Sequence, residues 1–433
     1  MLSISEKTRK LIFNAEKKIQ HEFLEIESIS EYNHEKVLSA FRKARISDTH
    51  FNFSTGYGYD DGGREALDLL YAYIFECEDA LVRHNIISGT HALTTAFFGV
   101  LRPGDTLLSV MGKPYDTLEE VIGIRGENTG SLKEFNINYK EVSLKDGFPD
   151  IEKIKTEITK DVRAVLIQRS KGYDSRASLS SEEIGEIITE IRKIKEDTII
   201  IVDNCYGEFV GRHEPTAYDA DLACGSLIKN PGGGLALTGG YICGKKKYVE
   251  LCAMRLTSPG LGKEVGASLG LSRNMIQGLY FAPIVVKEAL KTAVLCSQIF
   301  MDLGYEVSPK PTEKRNCIIQ SISLKEKEKL IAFCKGIQKG AAVDSFVSPE
   351  PWDMPGYADP VIMAAGAFVQ GSSIEISADA PIKPPYTAFM QGSLSYGYGK
   401  LGLSFAVDEV LNEVLRHPVG GNVINLRKRL TEK

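Results

Sequence analysis

The sequence predicts an α/β protein, with a large domain built on a mostly parallel sheet under helices and a smaller C-terminal α+β domain. Three observations carry this expectation. Apolar runs without alternation recur at "TLLSV" (106–110), "AVLIQ" (164–168) and "TIIIVD" (198–203), as expected for strands buried on both faces. Helical patterns separate them, as in "EEIGEIITEIRKIKE" from residue 182. A chain of 433 residues also exceeds what one core usually holds.

In chain order, residues 3–45 carry Leu11, Ile12, Ala15, Ile19 and Phe23 at helical spacing between dense charges. They predict one or two amphipathic helices, an arm over residues 1–50 suited to lie on a partner subunit. A glycine-rich turn, "STGYGYDDGGRE", opens the large domain of residues 51–305 and leads into a helix through "ALDLLYAYIFE". The helix "PIVVKEALKTAVLCSQIFMDL" (283–303) closes that domain. Over 306–433, "NCIIQSISL", the helix "KEKEKLIAFCKGIQ" and "SIEISA" predict a smaller sheet with helices on one face.

Composition narrows the function. The chain is 43% apolar and 25% charged with a formal charge of −5, so it has no basic footprint for nucleic acid or an anionic membrane. Its expected partner is a small molecule. The eight cysteines form no C-x-x-C pair and sit mostly in apolar runs, which reads as reduced, buried thiols. Charges interrupt the opening "MLSISEKTRKLIFNAEKKIQHEF", and no apolar run approaches the ~20 residues of a membrane span, so a cytoplasmic location is expected.

Four stretches bear chemistry. In "IISGTHALTTAFFGVL", Ser88, Gly89 and Thr90 stand where a helix begins, and the bare N–H groups there suit a phosphate. The same pattern also serves as an ordinary cap. In "VMGKPYDTLEEVIG", Tyr115 follows a strand end, where ligands of open α/β sheets bind and a ring can stack on a flat heteroaromatic group; His91 is a second stacking candidate. In "TIIIVDNCYGEF", Asp203 projects a carboxylate from a strand end, able to hold a proton on a pyridine-like nitrogen, to bind a metal or to cap a turn. No histidine or cysteine cluster at ligand spacing supports a metal, and none is expected. In "CGSLIKNPGGG", Lys229 lies between apolar residues and Gly232–Gly234, with Ser226 three residues before it. A lysine so placed has its ammonium form disfavoured and can condense with an aldehyde as a Schiff base.

Through "SGTHAL", "GKPYDTLEEVIG", "IQRSKGY", "VDNCYGEF", "SLIKNPGGG" and "PGLGKEVGASLG", the chain resembles the fold-type-I pyridoxal-phosphate enzymes of the cystathionine and methionine lyase type. Within them it is most similar to the methionine gamma-lyase-like, or aluminium-resistance, branch. The resemblance implies pyridoxal 5'-phosphate and a β- or γ-elimination on a sulfur-containing amino acid. It implies Lys229 as the Schiff-base lysine, Asp203 on the pyridine nitrogen, Tyr115 over the ring, and Gly89 and Thr90 with Ser226 around the phosphate. It also implies a homo-oligomer, dimer or tetramer, in which Tyr57 or Tyr59 reaches a neighbour's phosphate. One departure stands out. The better-studied lyases bind the substrate carboxylate with a small-domain arginine, but no arginine lies between Arg315 and Arg416 here, leaving Lys383, Arg169 or Arg176 for that part. Two alternatives stay open: a cofactor carrier or regulator without turnover, and a pyridoxal-phosphate enzyme of another type such as an aldolase or transferase.

Overall fold

The computed structural model describes residues 2–354 and 359–416; the remainder of the expected C-terminal domain, residues 355–358 and 417–433, lies outside the described residues. Its elements in chain order begin with α1 (Glu6–Lys18), α2 (Gln20–Lys43), α3 (Gly62–Ile74), β1 (Asp79–Arg83), α4 (Gly89–Val100), β2 (Thr106–Ser109) and α5 (Asp116–Ile122). They continue with β3 (Asn138–Glu141), α6 (Ile151–Glu157), β4 (Val162–Gln168), α7 (Ser181–Ile194), β5 (Ile199–Asp203), β6 (Leu222–Ser226), β7 (Gly240–Gly244) and α8 (Lys246–Leu256). Last come α9 (Ser272–Asp302), β8 (Glu306–Ser308), β9 (Gln320–Ser323), α10 (Lys327–Lys339), β10 (Val361–Ala364), β11 (Ser377–Pro381), β12 (Thr387–Gln391) and α11 (Tyr396–Arg416). Two compact units result, one of residues 29–284 and one joining residues 1–28 to 285–433. The boundaries expected at 50 and 305 therefore fall elsewhere than the division between units.

The unit of residues 29–284 holds a seven-stranded sheet in the order β1-β7-β6-β5-β4-β2-β3. Pairing is parallel from β6 through β3, while β7 runs antiparallel to both neighbours. This is the α/β architecture the uninterrupted apolar runs predict, and β5 explains why. Ile199 and Ile201 enter a core with Ala92, Phe97 and Cys252 of α4 and α8, while Ile200 and Val202 enter another with Ile154 and Ile184 of α6 and α7. Both faces are dry, so both parities must be apolar. Helix α7 starts where a capping box is satisfied: Ser180 Oγ accepts from Glu183 N at 3.1 Å, and Glu183 Oε2 accepts from Ser180 N at 2.7 Å.

The other unit carries a five-stranded antiparallel sheet, β10-β11-β12-β9-β8, with α10 and α11 packed together. Helix α1 docks on α11 of its own chain: Tyr396 Oη donates to Glu16 at 2.6 Å, and Ser5 Oγ donates to Asp408 at 2.6 Å. Residues 6–18 thus join the C-terminal unit of their own chain, where the sequence suggests an arm suited to lie on a partner subunit.

Two further differences have local causes. Helix α9 starts at Ser272 and runs through Pro283, where the sequence suggests a start. A proline removes one helical N–H, and buried Met275, Ile276, Leu279 and Ala282 on the preceding turns outweigh that loss. In "SIEISA", strand β11 begins only at Ser377, because buried Glu375 accepts from Phe368 N at 2.9 Å and Val369 N at 3.0 Å and so holds a loop.

Candidate active site

Strand parity turns the chemistry-bearing side chains to one side. Because Ile199 and Ile201 face α4 and α8, the two-residue alternation points Asp203, the last residue of β5, the same way. Leu222 and Cys224 of β6 face that side too, which carries Ser226 to it. Helix α4 begins there. Its buried Gly89 stands so close that an added Cβ would lie 2.8 Å from Cys205 Sγ and 3.9 Å from Ser226 Cβ. Only glycine permits this approach of a helix start to two strand ends.

The start of α4 forms an anion cup. Ser88 is its N-cap, with Oγ accepting from His91 N at 3.0 Å, and Thr90 Oγ1 lies 2.7 Å from Thr117 Oγ1. Ser226 Oγ is buried with no hydrogen-bond partner among the described residues. A dry, unpaired hydroxyl beside a helix N-terminus is a donor in wait for an acceptor. The ring of His91 accepts from Ile87 N at 3.3 Å, which ties it to the turn.

Lys229 follows Ser226 by three residues and opens a short 3-10 turn, Asn230–Gly232. Its Nζ stands 4.1 Å from the centroid of the Tyr206 ring. Burial works against the ammonium, but the acidic groups of Cys205, Tyr206, Asp203 and Glu208 outweigh it and raise the lysine above its ordinary value. The expectation of a disfavoured ammonium is therefore corrected for the chain alone, since a ring of acids surrounds the amine. Asp203 responds in the opposite sense. Burial raises its carboxyl, while Lys229, Cys205 and Arg176 pull it back; Cys205 N donates to Asp203 Oδ1 at 3.2 Å.

Tyr115 stands just before α5, at the carboxyl end of β2, with its ring 6.0 Å from that of Tyr173 and inclined at 63°. Tyr57 and Tyr59 are 67% and 64% exposed and stacked on each other at 5.5 Å. The candidates for a carboxylate clamp fare differently. Arg169 is buried, giving its NH1 to Glu214 at 3.0 Å and to Asn204 at 2.7 Å, so the fold consumes it. Arg176 is buried as well and donates to the carbonyls of Ala177 at 2.9 Å and Gln168 at 3.0 Å and to that of Ser170, bracing the 169–179 loop. Lys383, in the other unit, is exposed and paired with Asp359 at 2.9 Å.

The glycines after Lys229 also serve packing. A Cβ on Gly232 would meet the Leu227 carbonyl oxygen at 1.6 Å, and one on Gly233 would meet the Gly278 oxygen of α9 at 2.3 Å. We expect Gly232→Ala to cost about 1–3 kcal/mol, read as a lower urea midpoint; an unchanged midpoint would show the turn to be slack.

Three groups around the amine have no sequence signal as site residues: Cys205, Tyr206 and Glu208. Tyr206 adopts a left-handed backbone, φ 71°, uncommon for a bulky residue, which aims its ring at Lys229. Among the described residues no group of three or more His, Cys, Asp or Glu is placed to hold a metal ion, and no helix is long and apolar enough to cross a membrane.

The chain is 51% identical over 416 residues to protein YnbB of Bacillus subtilis, covering 96% of this chain and 99% of that one. It superposes at a TM-score of 0.91 and 52% identity on a carbon-sulfur lyase involved in aluminium resistance from Clostridium novyi, covering 94% and 96% of the two chains. A pyridoxal-5'-phosphate dependent protein of Escherichia coli, YhfS, shares the fold alone, at 13% identity and a TM-score of 0.59, covering 90% and 97%. The methionine gamma-lyase family matches residues 8–411, so the chain, a fold-type-I protein, belongs to that family and takes its cofactor, pyridoxal 5'-phosphate.

Proposed function

We propose that the protein is a cytoplasmic carbon–sulfur lyase that eliminates a thiol from the β- or γ-carbon of a sulfur-containing amino acid of the cystathionine or methionine type. The observation that carries this reading is the convergence of an anion cup, a strand-end carboxylate and a half-buried amine on the α4 side of β5 and β6. The family and the Clostridium novyi lyase support the reaction class.

The residues fit the cofactor. Ser226 Oγ, unpaired and buried, and the first N–H groups of α4 match a phosphate in number and charge, as Gly89 keeps the approach open. Asp203 offers a carboxylate for a ring nitrogen, and Lys229 the amine for an aldehyde. When bound, pyridoxal phosphate supplies an electron sink for the charge left at the substrate α-carbon. Lys229 then takes the α-proton, and Asp203 keeps the ring-nitrogen proton in place. Tyr115, at the end of β2, donates to the departing sulfur. Elimination breaks the C–H and C–S bonds, and one water then takes the place of the amino nitrogen as the C–N bond breaks, so the products are a thiol, ammonia and a 2-oxo acid. A homo-oligomer belongs to the same reading, with the exposed Tyr57–Tyr59 pair in its support as a contact to a neighbour's phosphate.

Ser226→Ala tests the cup. Loss of one hydrogen bond to a charged phosphate, worth about 1.5–3 kcal/mol, should weaken cofactor binding roughly 10- to 150-fold in equilibrium dialysis. The same affinity as the unaltered protein would place the phosphate elsewhere. Thiol and 2-oxo acid release from cystathionine, methionine and cysteine tests the reaction, and inactivity of the loaded protein across a broad amino-acid panel would favour a carrier.

A further inference from the structure

We propose that Tyr206 is a positioning residue for Lys229: the face of its ring holds the Lys229 amine in its charged form. The Nζ atom stands 4.1 Å from the ring centroid, inside the ~6 Å over which a ring face attracts an ammonium. The backbone shows that this placement is imposed. Tyr206 takes the third position of a turn closed by Gly207 N, which donates to Asn204 O at 3.0 Å, and its φ is 71°. Glycine is the residue such a position favours, because a Cβ crowds the backbone there. A bulky tyrosine carries strain instead, and strain persists only where the surroundings over-determine it.

The surroundings do so on both sides. Asn204 N donates to Cys224 O of β6 at 2.9 Å, its Nδ2 donates to Glu214 at 3.0 Å, and its Oδ1 accepts from Arg169 NH1 at 2.7 Å. Gly207 lies so close to Arg169 that an added Cβ would be 2.4 Å from Arg169 Cδ. None of these anchors uses the Tyr206 side chain, so what tyrosine adds at the left-handed position is the ring against the amine. Asp203, Cys205 and Glu208 also act on the nitrogen. An acid attracts a cation from any direction, whereas a ring attracts it over its face, which fixes direction as well as charge. When Lys229 takes a proton from the substrate, a step that rests on its proposed role, the ring stabilises the nitrogen that has gained the charge.

The test is acetic anhydride labelling of the cofactor-free full chain at a pH below the lysine's own, read by mass spectrometry on the peptide that holds Lys229. The uncharged amine reacts and the ammonium does not, so the rate reports how strongly the charged form is held. Tyr206→Phe keeps the ring face and should label as slowly as the unaltered chain. Mono-, di- and trifluorophenylalanine at position 206 keep the ring's shape while draining its face of negative charge. Labelling should quicken stepwise along that series, by about 2- to 30-fold in all. A flat series, or a Tyr206→Phe chain as fast as the trifluorinated one, would overturn the inference. If the ring variants do not fold, the unaltered chain decides. After reductive methylation with carbon-labelled formaldehyde, the Lys229 methyl signal, assigned by its loss in Lys229→Arg, should lie upfield of the other lysine methyls because of the ring. A signal among the others would place the nitrogen off the ring face and overturn the inference as well. In the loaded protein, Tyr206→Leu should lower kcat more than it raises KM, while Tyr206→Phe keeps both. A loaded protein without turnover would sink the proposed role of Lys229, whereas the labelling series and the methyl signal test the contact without it.

Discussion

Replacing Lys229 with alanine abolishes turnover: kcat in the thiol-release assay falls by at least about a thousandfold, the range lost with a proton-transferring group. The visible cofactor band disappears with it. Thermal stability changes little, because the ammonium lies half-buried among acids and its removal relieves desolvation as well as attraction. The combination matters more than either part. Lost activity with a collapsed melting temperature would mark Lys229 as structural, and activity kept with the band intact would remove the amine from the chemistry.

Arg169 should show the reverse pattern. It is 1% exposed and Glu214 is fully buried, so Arg169→Met leaves a carboxylate in the core with Asn204 and the Phe209 N–H as its remaining donors. Breaking such a buried pair from one side costs about 3–5 kcal/mol, read from the urea midpoint. Adding Glu214→Gln should recover most of that loss, since the uncompensated charge goes with it. An Arg169→Met protein as stable as the original would contradict the structural role and reopen the arginine for a substrate.

Much of this was legible in the sequence, for reasons that can be stated. Strand β5 announces itself because both of its faces are dry, and α7 because Ser180 and Glu183 are local partners. Parity then turns Asp203 and Ser226 to one side from their positions alone. What escaped depends on distance along the chain or on backbone conformation. Arg169 reads as a clamp until Glu214 is seen against it, 45 residues on. The docking of α1 rests on Ser5 and Asp408, 403 residues apart. Tyr206 and Glu208 sit in a stretch that reads as a turn, and nothing in "NCYGEF" reveals a left-handed tyrosine or a carboxyl packed under Gly225.

The proposed chemistry rests on where the cofactor is joined to the chain. Sodium borohydride reduction of the loaded protein, proteolysis and mass spectrometry of the peptides test this most directly. One modified peptide is predicted, spanning "SLIKNPGGG", with the reduced cofactor on Lys229. An adduct on a different lysine, or none on a protein that demonstrably binds the cofactor, would contradict it.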